Sequence, residues 1–255
     1  MRILGISAYY HDSAAALIED GIPLAMAQEE RFTRIKHDSS LPKNAIDFCL
    51  KKAGNKKIDY VVFYEKPFIK FERFAVSTLS FFPRSSATFR EGMQSWLKQK
   101  MWIKGQIEEY LKVDENQILF VPHHLSHAAG SFLCSPFEEA SILTVDGVGE
   151  WTTTAIGFGK QNEIKLTKEL RFPHSLGLLY SAFTGFLGFK VNDGEYKLMG
   201  LAPYGKPNQM EKINKTIDIK EDGSYRLNLD YFSYHKSTKL PYNKIKNWGA
   251  KLPSE

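Results

Sequence analysis

The chain has 255 residues, 43% of them hydrophobic, enough to bury one large core or two small ones and too many for disorder throughout. Its 34 Lys and Arg outnumber 29 Asp and Glu for a formal charge of +5, carried largely by Lys51, Lys52, Lys56, Lys57, Lys98, Lys100 and a lysine-bearing tail after Lys236. No basic patch interleaves with aromatics, so a solvated basic face is expected and no nucleic-acid partner.

Along the chain, Arg2 to Ser7 reads as a short apolar strand, followed by the polar stretch Tyr9-Tyr10-His11-Asp12-Ser13 and a second strand from Ala14 to Ile18. A turn at Glu19-Asp20-Gly21 leads into a third strand, Ile22 to Ala27, completing an antiparallel meander. Ala45, Ile46, Cys49 and Leu50 recur at helical spacing and predict a helix over 42–53, with Pro42 suited to its first turn. Val61 to Tyr64 is the next strand, expected to cross over parallel onto the same sheet. The aromatic, basic stretch 68–110 predicts covering helices in which Phe71, Phe74, Phe81 and Phe82 pack together. Ile118 to Val121 is a strand, and a helix follows from Pro122 to about Leu133.

The opening grammar then recurs: strand Ser141 to Val145, polar turn Asp146-Gly147-Val148-Gly149-Glu150, strand Thr152 to Phe158. A strand at Lys165-Leu166-Thr167, a helix from about Ser175 to Leu187 and a polar region around Glu221-Asp222-Gly223-Ser224 complete the pattern. Two such copies predict a duplicated α/β domain, 1–140 as its first half with a helical insertion around 68–110, and 141–255 as the start of an unfinished second half. Closing that second sheet needs roughly another 100 residues, so the chain reads as the front part of a longer protein. Cys49 and Cys134 stand far apart in apolar surroundings and read as reduced core residues. No apolar run approaches the roughly 18 residues of a membrane span and no signal peptide opens the chain, which predicts a cytoplasmic protein without a membrane partner.

The sharpest local signal is Pro122-His123-His124-Leu125-Ser126-His127. On a helix, His123 and His127 share one face and reach one cation, while His124 points elsewhere. Asp146, at the end of an apolar strand, adds a carboxylate, and two imidazoles with one carboxylate suit Fe(II), Zn(II) or Mn(II). In its turn, Gly147 and Gly149 are expected to permit close approach to an anion and positive φ. His11-Asp12 places an imidazole suited to general-base work beside a carboxylate. The charged run Glu29 to Asp38 reads as a solvated loop, and Lys197, bracketed by glycines and small residues, reads either as a cation that approaches a ligand together with the backbone or as a solvated lysine of a surface loop. GxxxxGK[ST], HExxH and Gly-x-Ser-x-Gly are all absent.

Five stretches resemble, in order, the carbamoyltransferase family of nodulation-factor and antibiotic O-carbamoyltransferases: Gly5 to Ala15, Gln28 to Lys36, His123 to Ala129, Thr144 to Glu150 and Asp193 to Ala202. The resemblance implies the N-terminal domain of an enzyme of the actin, Hsp70 and sugar-kinase superfamily. It further implies a second, adenylate-forming domain that makes carbamoyl adenylate from carbamoyl phosphate and ATP, the first domain passing the carbamoyl group to a hydroxyl of a small-molecule acceptor. By the same resemblance His123, His127 and Asp146 correspond to iron ligands completed by a distal aspartate. His11 and Lys36 correspond to residues near the carbamoyl group, and Asp12, Gly147, Gly149 and Lys197 are taken as nucleotide contacts. Two rival readings are an ATP-dependent kinase or ATPase of the superfamily and a non-catalytic interaction module. Neither the acceptor nor the oligomeric state is legible.

Overall fold

A computed structural model describes residues 1–54, 56–98 and 100–235; the lysine-bearing tail after Lys236, and with it the end of the expected second half, lies outside them. In chain order the elements are β1 (Arg2–Ser7), β2 (Ala14–Glu19), β3 (Ile22–Gln28), α1 (Glu30–Thr33), α2 (Lys43–Lys52), β4 (Tyr60–Phe63), α3 (Pro67–Ser80), α4 (Ser86–Lys98), α5 (Ile103–Leu111), β5 (Ile118–Phe120) and α6 (His123–Phe132). They continue as β6 (Glu139–Val145), β7 (Thr152–Lys160), β8 (Glu163–Arg171), α7 (Leu176–Phe186), α8 (Glu195–Leu201), α9 (Met210–Asn214), β9 (Ile217–Ile219) and β10 (Tyr225–Leu227). This is a mixed α/β protein, and its residues fall into two compact units.

The first unit comprises residues 1–68 and 94–126. Its five-stranded sheet has the order β3-β2-β1-β4-β5, antiparallel across the meander and parallel across β1-β4-β5, as the crossover expectation requires. Leu4 stands beside Leu17 on one side and Val61 on the other, and all three are fully buried. Each contributes on the order of 1.5–3 kcal/mol through removal of its side chain from water. The turn between β2 and β3 has both central residues left-handed, Asp20 at φ 49° and Gly21 at φ 84°, the conformation that matches a hairpin's twist. Pro23, which lacks an N–H, is tolerated because β3 is an edge strand. Helix α2 buries Ala45, Ile46 and Cys49, the predicted face, against the sheet.

The charged run after β3 departs from the expected solvated loop. Glu29 is 2% exposed, and its carboxylate accepts the backbone N–H groups of Asn44 (3.1 Å) and Ala45 (2.9 Å) and the Asn44 side-chain amide (2.6 Å). An anion is stabilised there because the first N–H groups of a helix have no intrahelical partner. Charge in this segment therefore serves as a cap for α2 supplied from a distance.

The second unit comprises residues 69–93 and those from His127 onward. Its central sheet is the antiparallel meander β6-β7-β8. Ala128 and Phe132 of α6 pack on Ile142, with Ala140, Ile164 and Leu166 beside them. The small residues of β7 make this possible: a Cβ at Gly159 would lie 2.5 Å from the Phe132 ring. In the insertion Phe74 meets Phe71, as expected, and also stacks on Phe89, whereas Phe81 meets His235 and Phe82 is exposed. Helix α7 contributes Ala182 to a second core with Leu227 and Phe232. The polar stretch 221–224 is the turn of the hairpin β9-β10, closed by Asp222 accepting from Ser224 and by Gly223 at φ 80°. Cys49 is buried as expected, but Cys134 is exposed, because it follows the end of α6, beyond the face that packs on the sheet. No helix among the described residues is long and apolar enough to cross a membrane.

Candidate functional site

Helix α6 carries His123 and His127 one turn apart, and strand β6 ends at Val145 so that Asp146 is the first residue of the following turn. His127 Nε2 lies 3.5 Å from Asp146 Oδ2. Because α6 is one continuous helix, His123 lies on the same face of it, one turn before His127. The Asp146 carboxylate holds the His127 imidazole above its usual pKa range, against the opposing effect of burial. A locus that favours positive charge between an imidazole nitrogen and a carboxylate fits a divalent first-row cation, for which imidazole and carboxylate are ordinary ligands. His123 is 9% exposed, and the buried Glu65 carboxylate lies 3.8 Å from its Nδ1. At that separation the pair is an electrostatic contact, longer than a hydrogen bond. His124 is turned inward and buried, as its place on the helix predicts.

The turn after β6 is held by the start of α7. Ser175, the N-cap, accepts the Leu178 N–H at 3.0 Å while its hydroxyl donates to the carbonyls of Gly147 (2.6 Å) and Asp146 (3.0 Å). Asp146 Oδ1 accepts the Gly147 N–H at 2.6 Å, which orients the carboxylate, and its own N–H donates to the Thr153 carbonyl at 2.9 Å. A Cβ on Gly177 would sit 2.5 Å from Asp146 C and O and Gly147 N, so only glycine lets the helix start lie against this peptide. The conformational expectation for the turn glycines is corrected accordingly. Among the described residues the positive-φ glycines are 21, 54, 188 and 223, and a Cβ on Gly147 would meet only Leu178 Cδ2 at 3.9 Å. Close approach is needed at Gly177, and neither Gly147 nor Gly149 requires a left-handed backbone.

A second constellation forms in the first unit, on the connection between β1 and β2. His11 Nδ1 is 2.8 Å from Asp12 Oδ2, and His37 Nδ1 is 2.9 Å from Asp12 Oδ1. Glu30 Oε2 accepts the His37 backbone N–H at 3.0 Å, so ligand atoms of Asp12, Glu30 and His37 fall within 4.8 Å of one another. Asp12 and His37 both have left-handed backbones, at φ 50° and 57°. Two backbone bonds tie their segments together: Tyr9 N–H to Ser39 O and Ser13 N–H to Asp38 O, both 2.8 Å. Burial pushes the Asp12 carboxyl up, but the His37 and His11 hydrogen bonds together outweigh it and hold the group below the ordinary carboxylate range. Lys36, exposed, precedes His37 on the same segment. His37 and Glu65 are absent from the sequence-derived site; His37 lies near the end of the charged run, and the signal for Glu65 is an acidic residue just after an apolar strand.

Lys197 is not on a loop. Gly194 starts α8, whose Glu195 carboxylate accepts from Ser181 (3.1 Å) and from the Asn192 N–H (2.9 Å), fastening it to α7. Lys197 is exposed on that helix, with Nζ 5.8 Å from the Tyr196 ring centroid.

Comparison with known proteins bears on all of these residues. An uncharacterised protein of Synechocystis, sll1178, is 52% identical over 243 residues, covering 91% of this chain and 40% of its own length. Nodulation protein NolNO of Sinorhizobium fredii is 35% identical over 232 residues, covering 88% of this chain and 32% of its own length. MJ1051 of Methanocaldococcus jannaschii, also uncharacterised, is 28% identical over 239 residues, 93% of this chain and 40% of that protein. The chain thus spans two fifths or less of these relatives. The family described as Carbamoyltransferase N-terminus matches residues 2–250, nearly the whole chain and both constellations, and this chain belongs to that family.

Proposed function

We propose that the chain is the N-terminal part of an O-carbamoyltransferase that passes a carbamoyl group, made from carbamoyl phosphate and ATP as carbamoyl adenylate, to a hydroxyl of a small-molecule acceptor. The observation that carries this reading is the meeting of family motifs distant in sequence: His127 with Asp146, and His11 and Asp12 with the segment bearing Lys36 and His37. The reading requires an adenylate-forming domain in addition to these 255 residues. The recurrence of a three-stranded meander, β1-β2-β3 and β6-β7-β8, supports the actin-like duplicated architecture.

In this mechanism His11 accepts the proton of the acceptor hydroxyl as its oxygen attacks the carbamoyl carbon. Lys36 offers an ammonium to the carbamoyl oxygen, where negative charge develops. His123, His127 and Asp146 would hold a divalent cation, Fe(II) by family resemblance, which when bound supplies Lewis-acid neutralisation of phosphate oxygens. Ser175 and Gly177 hold the Asp146 turn in place. Gly147, Gly149 and Lys197 enter as nucleotide contacts on the family motifs alone.

Product analysis tests the reading. The full-length protein supplied with carbamoyl phosphate, ATP and hydroxylated acceptors is expected to release AMP and form a carbamoylated acceptor. ADP with a phosphorylated acceptor would replace the transferase by a kinase, and absence of turnover with any acceptor would leave a binding module.

A further inference from the structure

Building on the reading of His11 as the base, we propose that Asp12 is a positioning residue. Its single carboxylate grips His11 and His37 by their Nδ1 atoms and so presents the His11 Nε2 lone pair to the acceptor hydroxyl.

An ionised carboxylate only accepts hydrogen bonds, so each Nδ1 facing it at 2.8 and 2.9 Å carries the proton. In a neutral imidazole that tautomer leaves Nε2 unprotonated, and Nε2 is then the basic atom. The His11 side chain is 44% exposed, open to a substrate, while Asp12 and His37 are 32% and 27% exposed. Both oxygens of Asp12 are engaged, as is Glu30 by the His37 amide, so hydrogen bonding accounts for the cluster and no cation is needed between these groups. The left-handed backbones of Asp12 and His37 are strained and persist only where surroundings over-determine them. Here the two inter-segment backbone bonds and the Asp38 carboxylate, which accepts from Ser40 and Thr33, do so.

One carboxylate serving two imidazoles assigns distinct parts to them. His37 approaches from the second segment and keeps Asp12 aligned, while Asp12 offsets the positive charge His11 acquires. In the transfer step the acceptor O–H bond breaks with its proton going to His11 Nε2. The acceptor oxygen forms a bond to the carbamoyl carbon, the carbon–oxygen bond to the phosphate breaks with AMP leaving, and His11 returns the proton to solvent.

Nitrogen-15 NMR of the histidine rings in the 255-residue chain, with His11→Gln and His37→Gln for assignment, reads the tautomers directly. Both rings are expected as Nδ1–H, and Asp12→Asn, which keeps one acceptor oxygen for two imidazoles, is expected to move at least one of them to Nε2–H. A His11 ring that is Nε2–H in the unsubstituted chain would overturn the inference whether or not the variants fold. In the full-length protein, Asp12→Asn is expected to lower kcat for transfer by about 10³–10⁴ with acceptor KM within about threefold. Transfer at the parent rate in Asp12→Asn but not in His11→Gln would refute the positioning role; parent-rate transfer in His11→Gln would refute the base reading itself.

Discussion

Replacing Gly177 by alanine tests whether the start of α7 fixes the metal-type site. The added Cβ would stand 2.5 Å from Asp146 C and O and Gly147 N, roughly 1 Å inside ordinary carbon contact. All three are backbone atoms, so no rotamer change relieves the clash. Overpacking of this kind costs about 1–3 kcal/mol. Weakening the hydrogen bond that the one Ser175 hydroxyl proton shares between the Gly147 and Asp146 carbonyls, at 2.6 and 3.0 Å, adds about 1 kcal/mol. The better helix propensity of alanine returns a little under 1 kcal/mol. The net expectation is a loss of about 2 kcal/mol, or roughly 4–8 °C in unfolding temperature for a protein of this size. Divalent-metal affinity, followed by calorimetric titration, should fall with it because Asp146 moves away from His127. Gly147→Ala is the control: with only Leu178 Cδ2 at 3.9 Å it should stay within about 0.5 kcal/mol of the parent. Parent-like stability and metal affinity in Gly177→Ala, or a larger loss in Gly147→Ala, would refute the reasoning.

Glu29→Gln should destabilise the first unit by about 1–3 kcal/mol in denaturant unfolding, because the amide keeps one acceptor oxygen but turns an NH2 donor toward a backbone or side-chain N–H that the carboxylate accepts. His127→Ala and Asp146→Asn should each weaken divalent-metal binding by at least about 100-fold in equilibrium titration, a ligand mattering more than the outer-shell partners that cost 10–100-fold. Burial, and secondarily Arg226, holds His174 below its ordinary pKa of 6.5, and its Nδ1 accepts the Leu227 N–H at 3.1 Å. The unfolded chain therefore takes up this proton first as pH falls, so His174 stabilises the fold above 6.5 and loses that contribution on acidification through its lower folded value. His174→Asn, which keeps an acceptor without a titrating ring, should show a smaller loss of unfolding free energy between about pH 7.5 and about pH 5; an unchanged pH slope would remove His174 as a source.

Much of the fold was legible because its signals are local. Alternation and short apolar runs placed β1 to β7, three- and four-residue spacing placed α2 and α6, and Asp20-Gly21 announced a hairpin. His123 and His127 could be paired in advance because helical rise alone sets their separation. Glu29 could not be read as buried, since a carboxylate leaves water only when donors meet it, and those donors belong to a helix some fifteen positions on. Gly147 and Gly149 drew attention by their spacing, yet whether a glycine is required depends on what its absent Cβ would touch, and that pointed to Gly177. Lys197 looked like part of a loop because its flanking glycines outweighed a propensity too short to show; contacts of Glu195 with α7 and with Asn192 make it helical. The sequence by itself determined the family, the order of the main elements as far as α7 and the residue types at both constellations, because those are properties of neighbours along the chain. Only the tertiary structure decided that Asp146 reaches His127 and that Asp12 is shared by two histidines, since hydrogen-bond distances between residues 19 and 25 positions apart are set by strand pairing and turn geometry.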